Sequence, residues 1–188
     1  MENKLQWQSV TQSLYQAILI NVCCSIAAAV FAILSVVTLG FGSVLSILAA
    51  IGVIVAQVLF FLRIGAWRDI AAEADKKAIN NIRTAMIISV VAGVISLIPL
   101  VGAIIGGILA IVALVMQLMG YSALKNSATM PTNAKVGAGK VFTSQILAIA
   151  AAVIGIIPVA GAIIGAIVEI VAFVLMLQGW KLIANSAE

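Results

Sequence analysis

The chain has 188 residues, of which 64% are hydrophobic and 9% are charged, and its formal net charge is +4. A water-soluble domain is about half apolar and about a quarter charged, and a small domain leaves much of its surface in water. This composition excludes a soluble globular protein and predicts an integral membrane protein. The small positive charge is ordinary for loops beside a membrane, so no nucleic-acid partner is expected.

The first apolar region belongs to an uncharged run from Leu5 to Leu62. This run is far longer than the ~20 residues that one membrane helix needs. Gly40 and Gly42 interrupt the run and predict the apex of a hairpin, because glycine favours turns over helices. Residues 1–67 are therefore predicted to form the first hairpin, with an interfacial segment at its N-terminal end.

Residues 68–83 are rich in charge and are predicted to form a cytoplasmic amphipathic linker or helix. Four apolar side chains recur at every fourth position: Ile70, Ala74, Ala78 and Ile82. Two arrangements are open at this point. The segment either continues the second membrane helix into water and turns at Asn80-Asn81, or lies as a separate helix on the lipid surface.

Two further pairs of apolar segments follow along the chain. Residues 84–124 and 141–188 each contain two apolar segments separated by a proline, Pro99 in the first and Pro158 in the second. Since proline ends or kinks a helix, these prolines predict the apices of a second and a third hairpin. Residues 125–140, which are polar and small, form the predicted linker between them.

The sequence thus predicts an all-α integral membrane protein with six transmembrane helices in three consecutive hairpins. Residues 1–188 form a single membrane domain in this prediction. The third helix is short, because Arg83 and Pro99 leave 15 residues between them, or about 22 Å of helix. That length is below the roughly 30 Å of the hydrocarbon core of a bilayer.

The last two hairpins are copies of one another. Residues 93–128 and 152–187 align without gaps and are identical at 19 of 36 positions, including the proline and three glycines. The first hairpin is a weaker copy of the same pattern. Because each hairpin enters and leaves on one side, the copies are predicted to be parallel internal repeats, with both termini on the same side.

The charges indicate which side that is. All ten Lys and Arg residues lie in the N-terminal segment, the two long linkers or the C-terminal tail. By the positive-inside rule, the termini and the linkers are cytoplasmic, and a bacterial inner membrane is the predicted location. Most aromatic residues lie near the same side and are predicted to form an interfacial belt: Trp7, Tyr15, Phe60, Phe61, Trp67, Tyr121, Phe142 and Trp180.

Small residues form a stripe along the second helix of each repeat. The motif GAIIG occurs twice and has the small-xxx-small spacing that lets membrane helices approach closely. The predicted helix-packing residues are Gly102, Gly106, Gly107, Ala110, Gly161, Gly165, Ala166 and Ala172. This packing joins either two helices of one chain or two subunits.

Glu169 is the intramembrane residue with the strongest functional signal. It occupies the position that Ala110 holds in the preceding copy. Ala166 and Ala172 lie about 60° to either side of it around the helix, so it is predicted to lie within the small-residue stripe. A charge at this depth costs at least ~2.5–3.5 kcal/mol on insertion scales, and no Lys or Arg lies at this depth to pair with it.

Three interpretations of Glu169 are open, and all predict that it does not face lipid. A neutral Glu169 forms a hydrogen bond with Ser89, Ser96 or a backbone carbonyl. Alternatively, a ring of Glu169 side chains in an oligomer lines a cation path or binds a proton. A third possibility is a binding site for a ligand or a partner helix.

Residues for catalysis or metal binding are scarce. The chain contains no histidine, its two cysteines are adjacent, and no pair of carboxylates lies at membrane depth. We therefore expect no enzymatic activity, no cofactor and no metal site. The sequence favours a protein that self-associates or holds a membrane partner through its small-residue stripes. An oligomeric ion channel and a membrane-shaping hairpin protein are the alternatives.

Overall fold

The computed structural model describes residues 2–37, 41–95, 98, 101–155, 157 and 160–186. These residues are almost entirely helical and include no strand, which confirms the predicted all-α class. The six helices are α1 (Glu2–Val37), α2 (Phe41–Ile70), α3 (Glu73–Ile95), α4 (Val101–Lys125), α5 (Thr132–Gly155) and α6 (Ala160–Ala184).

Five of these six helices are long and apolar enough to cross a membrane, which supports an integral membrane protein. The exception within the described residues is α3. Its first half carries the charged residues Glu73, Asp75, Lys76, Lys77 and Arg83. The remaining apolar half is shorter than the ~20 residues that a spanning helix needs.

The break between α2 and α3 falls at Ala71 and Ala72. Asn80 and Asn81 lie inside α3, so the turn expected there is wrong. Alanine is a good helix former, and no local signal marks this break. Ala71 is buried in the core, which indicates that tertiary packing sets the position of the break.

The start of α5 also differs from the boundary predicted from the sequence. This helix begins at Thr132, so the second half of the polar segment 125–140 is helical. The carbonyl oxygen of Pro131 accepts a hydrogen bond from the backbone N–H of Lys135, at 3.0 Å. Proline suits this position, since its missing N–H is not needed at the start of a helix.

Helices that follow one another in the chain pack side by side. The most extensive contacts join α1 to α2, α3 to α4 and α5 to α6. Smaller contacts join α2 to α3, α4 to α5 and, between the two ends of the chain, α6 to α1. Among the described residues, α2, α4 and α6 do not approach one another at the backbone level.

The hydrophobic core lies at one end of the molecule, which we call the base. The base contains the large buried side chains Leu14, Ile64, Trp67, Ile79, Ile82, Leu124, Val141, Trp180 and Ile183. The opposite halves of the helices, which we call the arms, leave most of their large apolar side chains exposed. Leu48, Ile104 and Ile163, for example, are 59%, 67% and 62% exposed. Exposed apolar surface on this scale is typical of a region that contacts a membrane or another protein.

The repeat in the sequence is accompanied by a repeat in burial. Six buried residues of α4 each have a buried counterpart 59 residues later in α6, and six of α3 have counterparts at the same distance in α5. The α4 residues are Gly102, Gly106, Ala113, Gly120, Tyr121 and Leu124. The α3 residues are Asp75, Ala78, Ile79, Ile82, Ala85 and Ala92.

Glycines at the base allow the paired helices to approach closely. A Cβ atom on Gly120 would lie 2.5 Å from Cγ1 of Ile82 and 2.8 Å from the carbonyl oxygen of Ala78. In the next copy, a Cβ on Gly179 would lie 2.6 Å from the carbonyl oxygen of Gly137 and 2.7 Å from Cγ2 of Val141. Each glycine thus faces a backbone carbonyl oxygen, that of Ala78 or that of Gly137. A backbone oxygen cannot move aside as a flexible side chain can.

Gly179→Ala is therefore expected to destabilise the fold by about 1–3 kcal/mol, the usual cost of overpacking. Gly107→Ala is the matched control, since no atom lies within 4 Å of the added methyl group. The control should be neutral or should stabilise α4 by up to ~1 kcal/mol, the helix-interior preference for alanine over glycine. Thermal unfolding in mild detergent, followed by circular dichroism, measures both. Equal shifts in Tm would contradict the close contact at Gly179.

Candidate functional site

An aromatic cluster connects the three helices that do not touch through their backbones. The ring of Trp180 on α6 lies 5.2 Å from that of Phe60, 5.7 Å from that of Trp67 and 6.3 Å from that of Tyr121, measured between centroids. All three pairs are edge-on, the arrangement that the charge distribution of aromatic rings favours. Trp180 therefore faces both α2 and α4.

This cluster corrects the predicted interfacial belt for four of its members. Phe60, Trp67, Tyr121 and Trp180 are all at most 7% exposed and lie in the core of the base. Large rings are needed here because α2, α4 and α6 leave a wide space between them. The sequence did contain a signal: Tyr121 and Trp180 occupy equivalent positions directly after a glycine in the two strong copies.

Hydrogen bonds at the base join residues near the two ends of the sequence. Nε1 of Trp7 donates to Oγ of Ser186 at 3.2 Å, and Ser186 in turn donates to the carbonyl oxygen of Ile183 at 2.6 Å. The equivalent serine, Ser127, accepts hydrogen bonds from the backbone N–H groups of Thr129 and Met130. The serine of each repeated Asn-Ser-Ala sequence thus lies just after α4 or α6. Ser127 forms hydrogen bonds with the segment that follows, and Ser186 forms one with the adjacent helix α1.

Glu169 lies on the same face of α6 as Trp180. Eleven residues separate them, and at ~100° per residue this is about three turns, which places Glu169 within roughly 20° of Trp180 and about 16 Å along the axis. At the base this face meets α2 and α4. In the arm the face is open, because α6 contacts only α5 and α1 among the described helices.

The side chain of Glu169 is exposed in the single chain, among exposed apolar neighbours that include Ile167 and Ile170. No hydrogen bond or ion pair joins it to another described residue. The expected bond to Ser89 is not formed, since Ser89 is exposed on α3, which does not contact α6. Ser96, the other suggested partner, lies outside the described residues. The described residues therefore leave this carboxyl uncovered.

The predicted helix-packing residues divide into a buried and an exposed set. The buried set comprises Gly102, Gly106, Gly161, Gly165 and Ala172, and the exposed set comprises Gly107, Ala110 and Ala166. A Cβ on Gly165 would lie 2.9 Å from the carbonyl oxygen of Ala151 on α5. A Cβ on Gly102 or Gly161 would collide with the carbonyl oxygen of Ile95 or Ile154, at the C-terminal end of the preceding helix.

Glu169 lies at the boundary between these two sets. Gly165 and Ala172 lie on one side of it around α6 and are buried against the rest of the chain, whereas Ala166 lies on the other side and is exposed. Ala110, its counterpart in α4, is exposed as well. The carboxyl is therefore at the edge of the packed stripe, next to a small residue, Ala166, that is exposed among the helices the structure describes.

The predicted apices are only partly visible. Gly40, Pro99 and Pro158 lie outside the described residues, and Gly42 is the second residue of α2. Next to the two prolines, the backbone N–H of Ile98 donates to the oxygen of Ile95, and that of Ile157 donates to the oxygen of Ile154, both at 3.0 Å. These matching bonds show that α3 and α5 end with the same tight turn.

Cys23 is exposed and Cys24 is half-buried, and both are free thiols. Within the part of the chain that the structure describes, no three His, Cys, Asp or Glu side chains come together in a group able to hold a metal ion.

Comparisons with models of protein families, with curated proteins and with solved structures found no match.

Proposed function

We propose that this chain is a non-enzymatic polytopic membrane protein that self-associates or holds a membrane partner through the exposed face of α6 around Glu169. A second copy of the chain is the partner that we favour. The observation that carries the proposal is the exposed carboxyl of Glu169 in the arm of α6, where the exposed large side chains around it are apolar.

Lipid is an unfavourable environment for this side chain in either protonation state. The ionised form costs at least ~2.5–3.5 kcal/mol near the middle of a membrane helix. The neutral form retains a hydroxyl donor and a carbonyl acceptor, and acyl chains satisfy neither. A protein surface that covers Glu169 removes this cost, which provides a driving force for association.

A second copy provides a group that matches this requirement. We place Glu169 on the axis of a two-fold symmetric contact, where a residue meets its own counterpart, so two Glu169 side chains approach one another. Two carboxyls that share a proton are a known stable arrangement. The exposed small side chain of Ala166, next to Glu169, lets the second helix come close enough for this contact.

The topology that accompanies this proposal is three parallel hairpin repeats, formed by α1 with α2, α3 with α4 and α5 with α6. The contact pairs and the 59-residue repeat in burial support it. Basic residues lie in the last turns of α2, α4 and α6, at the base: Arg68, Lys125 and Lys181. The positive-inside rule then makes the base cytoplasmic, as in a bacterial inner membrane, and directs the arms across the bilayer.

Ala166→Trp is expected to convert the oligomer into a monomer, because a large side chain at this exposed position prevents close approach of a second helix. Val171→Trp is the matched control, since Val171 is also exposed but lies about 160° from Glu169 around α6. The mass of the protein in mild detergent and cross-linking in native membranes measure the change. A wild-type chain that is monomeric in both assays, with no partner that purifies with it, would refute the proposal.

A membrane-shaping role is the second candidate, favoured by the position of the core. The base is packed, whereas the arms contact only their neighbours, so the arms resemble separate wedges.

We expect the arms to span the membrane instead. In a chain whose Cys23 and Cys24 are replaced by alanine, Val101→Cys should react with an impermeant maleimide from the side opposite the base. Ala72→Cys, at the exposed break between α2 and α3, should react only from the cytoplasmic side. Protection of Val101→Cys on both sides would favour the wedge.

An oligomeric ion channel with Glu169 near the conduction path is the alternative that the same exposed carboxyl favours. The aromatic cluster fills the space between α2, α4 and α6 at the base, so such a path would run between copies. In planar bilayers, a cation current that Glu169→Gln abolishes would establish this alternative. We expect no current from the wild type or from Glu169→Gln when each is verified to be an oligomer.

A further inference from the structure

The seam between α4 and α5 has a graded polarity from the base towards the arms. These helices belong to different pairs and make smaller contacts than partners within a pair. At the base end, Nζ of Lys125 lies 3.9 Å from the ring centroid of Phe142. Further along, Nε2 of Gln145 donates to Oε1 of Gln117 at 2.8 Å. An apolar groove continues from Gln145 into the arms.

The base end of the seam has an excess of positive charge. The sequence from residue 125 to 140 contains three lysines and no acidic residue. Asp75 reaches this linker from α3, but it is buried and accepts a hydrogen bond from Oγ1 of Thr129 at 2.7 Å. The ion pairs among the described residues are Arg68–Asp69 and Lys76–Glu73, so Lys125 has no acidic partner there.

The middle of the seam holds an amide with one unused hydrogen-bonding atom. Oε1 of Gln145 is buried and has no partner among the described residues. The oxygen and nitrogen of a side-chain amide are assigned from the hydrogen bonds that they form. Turning both amides lets Gln117 donate to Gln145 instead and leaves an N–H of Gln145 unused. In either orientation one buried polar atom of Gln145 has no partner among the described residues, which is unfavourable unless a ligand binds it.

The groove beyond this amide has a volume of about 450 Å³. Its walls are almost wholly apolar and are formed by Leu114, Gln145, Ala148, Ile149, Ala152 and Val153. This volume lies within the roughly 300–1,000 Å³ that is usual for small-molecule sites. The groove is open on its outer side, where Ala148, Ala152 and Val153 are exposed.

We propose that this seam binds an anionic phospholipid of the surrounding bilayer. The phosphate lies at Lys125, an ester carbonyl accepts the N–H of Gln145 that is unused when both amides are turned, and an acyl chain occupies the apolar groove. The order of cation, amide and apolar surface along the seam matches the order of phosphate, ester and chain in such a lipid. Helical side chains lean towards the N-terminus of their helix, so Lys125 leans towards the groove and Gln145 leans towards the base. This inference depends on the membrane location in the proposed function but not on self-association.

Phosphatidylglycerol and phosphatidylcholine, which differ in net charge, are the two probes. The chain is inserted into nanodiscs that contain both, extracted gently and weighed by native mass spectrometry with its bound lipids. Wild type should retain phosphatidylglycerol in preference to phosphatidylcholine. Lys125→Gln should weaken that preference about fivefold, as expected for one lysine beside an anionic lipid. Lys181→Gln, the same change in the last turn of α6, is the matched control and should leave the preference intact.

A second variant tests the groove. Ala152→Trp fills it and should lower retention of both lipids, whereas Ala123→Trp, exposed on the face of α4 opposite Leu114, should not. Tm in detergent verifies that each variant is folded. An equal preference for phosphatidylglycerol in Lys125→Gln and wild type would overturn the proposal. Release of the bound lipid by glycerol phosphate, at a concentration equal to that of the lipid, would also overturn it, because it would indicate a simple anion site. Failure of the chain to enter nanodiscs would refute the membrane location instead.

Discussion

The fold depends on the contact of Trp180 with aromatic side chains from α2 and α4. Those helices do not approach α6 through their backbones, so side chains alone connect the three pairs at the centre of the base. Aromatic residues suit this purpose because each buries a large apolar area while losing few rotamers. Without these rings the base would contain a cavity bordered by three helices, and the pairs would be held only by their smaller peripheral contacts.

Two kinds of packing therefore divide the molecule. Within a pair, glycines such as Gly165 and Gly179 bring backbones together, as is typical where no hydrophobic force acts between helices in lipid. Between pairs, large rings and a few hydrogen bonds hold the base together. The first kind extends into the arms, whereas the second does not. This division explains why the arms have partners but no common core.

The elements that could be predicted from the sequence are those set by local composition. Helical class, apolar segments and the internal copies follow from hydrophobicity, proline and glycine alone. The break at Ala71 could not be predicted, because alanine favours a helix and only burial in the base interrupts it. The burial of four of the eight belt residues could not be predicted for a related reason, since a ring near a membrane interface and a ring in a core have the same sequence context.

The candidate site was predictable in part. An acidic residue in an apolar copy marks Glu169 without any structure, and its depth follows from counting residues. The surroundings of Glu169 cannot be predicted in this way. They depend on the rotation of α6 about its own axis relative to α5, which decides which side of the small-residue stripe is covered. The seam between α4 and α5 gave no signal in the sequence, since Lys125, Gln117 and Gln145 come together only when two distant segments pack.

The concentration of the core at the base has a consequence for how the protein is made. Each helix pair contacts its neighbours mainly at that end, so a pair can enter the bilayer as a unit soon after its second helix leaves the ribosome. Joining of the pairs is then a separate, later event, which needs all four rings of the central cluster and the Trp7–Ser186 bond that links the first pair to the last. Biogenesis in this scheme proceeds by stepwise insertion, followed by one closing step that requires residues from both the first pair and the last pair.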